Sequence, residues 1–146
     1  MKKILVPLAE GFEEIEAITI IDLLRRAGAE VVVASLEKRN VQGSHGLKVI
    51  ADTVLDEILD DNFEMIVLPG GVPGAPNLMG DARIIKLLKD QATANKTSAA
   101  ICAAPAVLEE AGLTIDKRIT SHPAWADRMT TAIHTGARVE TADLLI

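Results

Sequence analysis

Cys102 is the only cysteine in the chain. A lone cysteine forms no intrachain disulfide and no all-cysteine zinc site. It is either a small buried hydrophobe or a reactive thiol. An apolar run over residues 97–102 ends at it, and Pro105 suits the first turn of a following helix. A residue on so sharp a strand-to-helix turn projects from the sheet, as nucleophiles on elbows do. N–H groups at the helix start favour thiolate and lower a thiol pKa from about 8.5 into the range of about 3.5–7.5. The same position also suits a structural cysteine closing a core strand.

Three other groups have the chemistry to serve such a sulfur. Gly70-Gly71 directly follows a strand-like run. Glycine there permits unusual backbone angles and lets an N–H face an oxyanion, although a plain turn needs glycine too. Glu13, Glu14 and Glu16 open the first helical segment, where the helix dipole favours acids, and capping accounts for the first two. An ionised acid beside the sulfur raises its pKa. A protonated one donates to the thiolate and then serves as general acid and base. His122 precedes Pro123 after a further strand and supplies the base that a cysteine nucleophile wants, or else a loop imidazole bonded to backbone. His45 and His134 fall in loops and receive no role.

The elements that must position these groups alternate. Short β-branched runs at 3–8, 30–36, 64–69, 97–102 and 117–121 read as strands. Helical spacing covers 13–26, with Ile15, Ile18, Ile21 and Leu24 as its apolar face and Gly28 as its stop. It also covers 54–59, 81–95 capped by Asp81, and 105–111 stopped by Gly112. Residues 47–51 read as an extra hairpin strand, and 72–77 as a rigid Pro/Gly-rich stretch with no phosphate-loop pattern. Buried strands alternating with helices predict a mostly parallel sheet covered on both faces, with ligands beyond the strand carboxyl ends. The cysteine, the glycine pair, the glutamates and His122 all fall at those ends. Residues 138–140 and 144–146 read as a hairpin whose edge needs a further segment or another chain to cover it.

The chain has 146 residues, the size of one domain of about 150. Hydrophobic residues are 49%, charged residues 25% and aromatic residues 2%, so an aliphatic core is expected and disorder is excluded as the main state. With 15 basic and 21 acidic residues and a net charge of −6, the chain is a poor binder of phosphate backbones or anionic membranes. It has no membrane span and no signal-peptide core, so no nucleic-acid or membrane partner is expected and the expected location is the cytoplasm.

Taken together, these residues resemble the DJ-1/ThiJ/PfpI superfamily, and within it the DJ-1-like branch that includes the YajL-type proteins. The match lies in Ala9-Glu-Gly-Phe-Glu-Glu-Ile-Glu16, Ile21-Asp-Leu-Leu-Arg-Arg-Ala-Gly28, Val67-Leu-Pro-Gly-Gly71, Ala99-Ala-Ile-Cys-Ala-Ala-Pro105 and Thr120-Ser-His-Pro123, in family order. The resemblance implies a single α/β domain over residues 1–146. Its fold would be a flavodoxin-like three-layer sandwich, mostly parallel, without the family's C-terminal strand and helix. It further implies a homodimer with Arg26 near the interface. Cys102 would be the reactive cysteine, Glu16 its hydrogen-bonded carboxyl group and His122 the active-site histidine. The Gly71 amide, with Gly70 beside it, and the Ala103 amide would hold an oxyanion.

The implied activity is glyoxalase or deglycase chemistry on 2-oxoaldehydes such as methylglyoxal, or on their adducts with protein, without metal or organic cofactor. The alternative is a redox-sensing chaperone whose cysteine oxidises to sulfinate. Ala103 stands where the peptidase-like branch carries histidine, which argues against a peptidase. A glutaminase lacks its synthetase domain and His-x-Glu tail here.

Overall fold

The computed structural model describes residues 1–146. Strands β1 (Lys3–Leu8), β2 (Glu30–Ser35), β5 (Thr53–Val54), β6 (Met65–Leu68) and β7 (Thr97–Ala100) form one parallel sheet in the order β5-β2-β1-β6-β7. An outlying hairpin pairs β3 (Asn40–Gln42) with β4 (Lys48–Ile50). Helices α1 (Glu14–Arg26), α2 (Gly74–Met79), α3 (Ala82–Thr93) and α4 (Pro105–Glu110) connect and cover the main sheet.

The two-residue period of the strands divides the core. Ile4, Val6, Leu8 and Val67 pack with Ala17 and Ile21 of α1. Leu5, Ile66 and Leu68 pack on the opposite face with Leu78, Ile84, Leu88, Val107 and Leu108 of the other helices. Three layers result, as the strand-helix alternation predicts. Asp81 caps α3 by accepting the Arg83 N–H at 2.9 Å.

Four local expectations are corrected. The apolar count over 13–26 puts Ile15 and Ile18 inward, yet Ile15 is 77% exposed, Ile18 45% and Leu23 59%. The buried face of α1 is Glu14, Ala17 and Ile21, because a fully hydrogen-bonded carboxylate takes a core-facing position. Residues 54–59 hold β5 and a 3-10 turn (Leu55–Glu57) rather than a helix. The Pro/Gly-rich stretch 72–77 turns helical at Gly74, where α2 begins.

The fourth correction concerns the chain's last residues, which do not fold back on 138–140. They run parallel along β7: Ser98 N–H donates to Leu144 O at 2.9 Å, Ile146 N–H to Ser98 O at 3.1 Å and Ala100 N–H to Ile146 O at 2.9 Å. An open strand edge offers unpaired N–H and C=O groups, and residues 144–146 satisfy them.

The last strands, β8 (Arg118–Ile119) and β9 (Ile133–His134), make a separate parallel pair beside α4. No helix is long and apolar enough to cross a membrane.

Candidate active site

The β7–α4 connection turns at Cys102, whose φ of 63° lies in the left-handed region. A side-chain-bearing residue rarely adopts that conformation, and such strain gathers at functional sites. The turn is closed by Ala104 N–H donating to Ile101 O at 2.9 Å and by His122 N–H donating to Cys102 O at 2.8 Å. The thiol is half-buried and free.

Glu16, in the first turn of α1, reaches the same place. Its Oε2 accepts the Gly70 N–H at 2.7 Å. A Cβ on Gly70 would stand 2.7 Å from that oxygen and 2.9 Å from Cys102 Cβ. Only glycine lets the carboxylate and the cysteine share one side of the β6 terminus. Gly71, at φ 102°, is packed as tightly on the other loop: a Cβ there would lie 2.3 Å from Glu13 N. The amides of Gly71 and Ala103 make no backbone hydrogen bond. The Gly70 amide is committed to Glu16. This corrects its assignment to an oxyanion, since an N–H already donating to a carboxylate has nothing left to give.

The expected lowering of the thiol pKa is also corrected. Burial pushes the Cys102 thiol up to about 11, and the hydrogen bond and charge of Glu16 push the same way, against the Ala103 N–H. Helix α4 has only six residues and starts three positions after the sulfur, so its dipole offers little compensation. The arrangement stores a thiol next to a carboxylate that can take its proton.

The sulfur opens on a cleft of about 580 Å³ whose walls include Glu16, His122, Ile20, Leu108 and Ile146. Arg118 and Glu140 pair on its rim at 3.1 Å. His122 joins Cys102 in this cleft, but its ring is used as a cap: Nδ1 accepts the Ala124 N–H at 3.1 Å, and no hydrogen bond joins it to the thiol. The Pro-Ala-Trp turn that follows His122 was the available signal for that capping role.

A second polar cluster, which residue spacing did not reveal, ties the β3–β4 hairpin to α1. Glu14 is buried, and its carboxylate accepts the His45 N–H at 2.7 Å and the Leu47 N–H at 3.3 Å, with His45 Nδ1 at 3.1 Å. Burial works to raise the Glu14 carboxyl, but its own N–H, the His45 N–H and ring and the Leu47 N–H outweigh it and bring it down to about 2. Glu13, Glu14 and His45 offer ligand atoms within 4.8 Å of one another, as a metal site would. The hairpin's N–H groups already occupy Glu14, which makes the cluster a clasp.

The sequence model of the DJ-1/PfpI family matches residues 2–145. Protein DJ-1 homolog A of Arabidopsis thaliana is 44% identical over 139 residues, covering 94% of this chain and 36% of that protein. The chain therefore spans about a third of that relative's length. A deglycase of Pyrococcus abyssi is 34% identical over 131 residues, covering 89% of this chain and 78% of that one. Among solved structures, oxidized Toxoplasma gondii DJ-1 superposes with a TM-score of 0.91 at 39% identity, over 99% of this chain and 80% of that one.

The site geometry predicts how the thiol titrates. A negative carboxylate disfavours a second negative charge on sulfur, so neutralising it must lower the thiol pKa. The rate of Cys102 alkylation by iodoacetamide is expected to rise with a midpoint near pH 11. In Glu16→Gln that midpoint should fall, and alkylation at pH 8 should accelerate. An unchanged or slower profile would show that Glu16 does not set the thiol's charge.

Proposed function

The chain belongs to the DJ-1/PfpI family, and on that footing we propose that it is a cysteine-dependent enzyme acting on 2-oxoaldehydes such as methylglyoxal, or on their adducts with Lys, Arg or Cys side chains. The observation that carries this reading is the sharing of one space by Cys102, Glu16 and Gly70 at the mouth of the cleft. As sulfur adds to the aldehyde carbon, its proton passes to Glu16. The developing oxyanion is assigned to the Gly71 and Ala103 amides, which make no backbone hydrogen bond. Glu16 returns the proton to that oxygen, takes the C1 hydrogen as a proton and delivers it to C2 while the C1 hydroxyl proton moves to the C2 oxygen, leaving a 2-hydroxyacyl thioester. Water releases a 2-hydroxy acid such as lactate. The step needs no metal or organic cofactor. His122, held as a cap on the cleft wall, is assigned to contact the substrate rather than the sulfur.

A second reading has its own support. The half-buried sulfur faces the Ala103 N–H and the Glu16 carboxyl, groups able to hold the oxygens of a sulfinate if Glu16 is protonated. A relative with 39% identity has been solved in an oxidized form. In that reading the protein senses oxidants as a redox chaperone.

The exposed stripe of Ile15, Ile18 and Leu23 on α1 is assigned to a second copy of the chain, since apolar surface of this kind calls for cover. Arg26 is the last residue of the same helix.

Three measurements follow. Purified protein should consume methylglyoxal and release lactate, and Cys102→Ala should abolish this; equal turnover by the variant would refute the enzyme. After mild peroxide, intact mass should show two added oxygens on Cys102 if sensing operates, and a thiol left unmodified would count against that reading. Light scattering should give a dimer that Ile15→Glu with Ile18→Glu converts to monomer, while a wild-type monomer at micromolar concentration would remove the assembly.

A further inference from the structure

A serine on the wall of the Cys102 cleft and a histidine of β9 form a hydroxyl–imidazole pair. The β8–β9 ladder brings them together. Ile119 is in register with His134, and Thr135 N–H donates to Ile119 O at 2.8 Å, with Ile133 N–H donating to Lys117 O at 2.9 Å. His134 is thereby set beside the end of β8, where its Nε2 lies 2.9 Å from Ser121 Oγ. Ser121 is a wall residue of the Cys102 cleft. The residue after it, His122, donates its N–H to the carbonyl of Cys102 itself at 2.8 Å. The Ser121 hydroxyl donates to His122 O at 3.0 Å, and rotation about its C–O bond turns the same proton to His134 Nε2. It is therefore held between a backbone acceptor and an imidazole nitrogen, on a residue that lines the cleft. His122, by contrast, spends its Nδ1 on the Ala124 N–H.

We propose that Ser121 and His134 are the pair that activates water to release the acyl group from Cys102. This rests on the enzymatic reading above, whose thioester must be hydrolysed in every turnover. A water at the cleft wall gives a proton to Ser121 Oγ as the hydroxyl proton of Ser121 passes to His134 Nε2. The water oxygen bonds to the thioester carbon, and the carbon–sulfur bond breaks with its electron pair leaving on sulfur. The proton held by His134 returns through Ser121 to the departing sulfur, which restores the thiol. One water is consumed, no atom changes oxidation state overall, and both side chains end as they began. Ser121 meets the reacting water. His134 acts through it and is a positioning and proton-holding residue.

The test compares Ser121→Ala, Ser121→Thr and His134→Gln with the wild type, each checked for folding by circular dichroism. With methylglyoxal, Ser121→Ala and His134→Gln should form the Cys102 adduct in a burst and then turn over about 100-fold more slowly, the lower end of what a general base contributes. Quenched samples should show Cys102 carrying the mass of one methylglyoxal in a form cleaved by hydroxylamine. Adding hydroxylamine during turnover should restore release, because that nucleophile needs no deprotonation. Ser121→Thr, which keeps the hydroxyl, should recover part of the rate that Ser121→Ala loses.

Variants that turn over at the wild-type rate would overturn the proposal. So would slow variants that accumulate no acyl group, or whose release hydroxylamine does not restore. A wild type that never forms a Cys102 adduct would instead bring down the enzymatic reading, and this one with it.

Discussion

The site depends on one close approach. At the end of β6 the backbone of Gly70 has no side chain, and into that gap come the Glu16 carboxylate from α1 and the Cys102 side chain from the β7–α4 turn. The 2.7 Å bond from the Gly70 N–H anchors the carboxylate where burial alone would expel it. Three separate segments of sheet and helix must therefore be in register before sulfur and acid meet. The parallel sheet with helices on both faces provides that register, since β1, β6 and β7 are neighbours and their carboxyl ends open on the same side.

The loops around this point are held by backbone rather than by long side chains. Glu13 N–H donates to Gly70 O at 2.9 Å, and Gly74 N–H to Gly11 O at 3.1 Å. The hairpin adds a second tie: Gly11 N–H donates to Gln42 O at 2.8 Å, and Ser44 N–H to Phe12 O at 2.8 Å. The buried Glu14 carboxylate fastens that hairpin to the same helix that carries Glu16. The Glu13, Glu14 and His45 cluster thus braces the hairpin against α1.

Much of this was legible in the residues. The β-branched runs and their glycine and proline boundaries located the sheet, and the place of Cys102 at a strand end located the thiol at the β7–α4 turn. The inward face of α1 was not legible, because an apolar count cannot see that Glu14 finds four hydrogen-bonding partners in a distant hairpin. The state of the thiol was also hidden. It follows from burial and from a carboxylate far away in sequence, and both oppose the short helix that the local pattern emphasised. Gly70 was recognised as a backbone position of consequence, but its partner could be assigned only from the packed loops. Ser121 and His134 meet through a two-residue ladder between β8 and β9, too short to leave a periodic trace.

The left-handed backbone of Cys102 has an evolutionary consequence. Such a conformation costs on the order of 1–3 kcal/mol for a residue with a side chain, and glycine is free of that penalty. Selection for durability alone would draw this position towards glycine, and under the reading proposed above the use of the sulfur is what opposes that pull. Among sequences of this type, the residue at the turn is then a readable sign of whether the chemistry has been kept or abandoned.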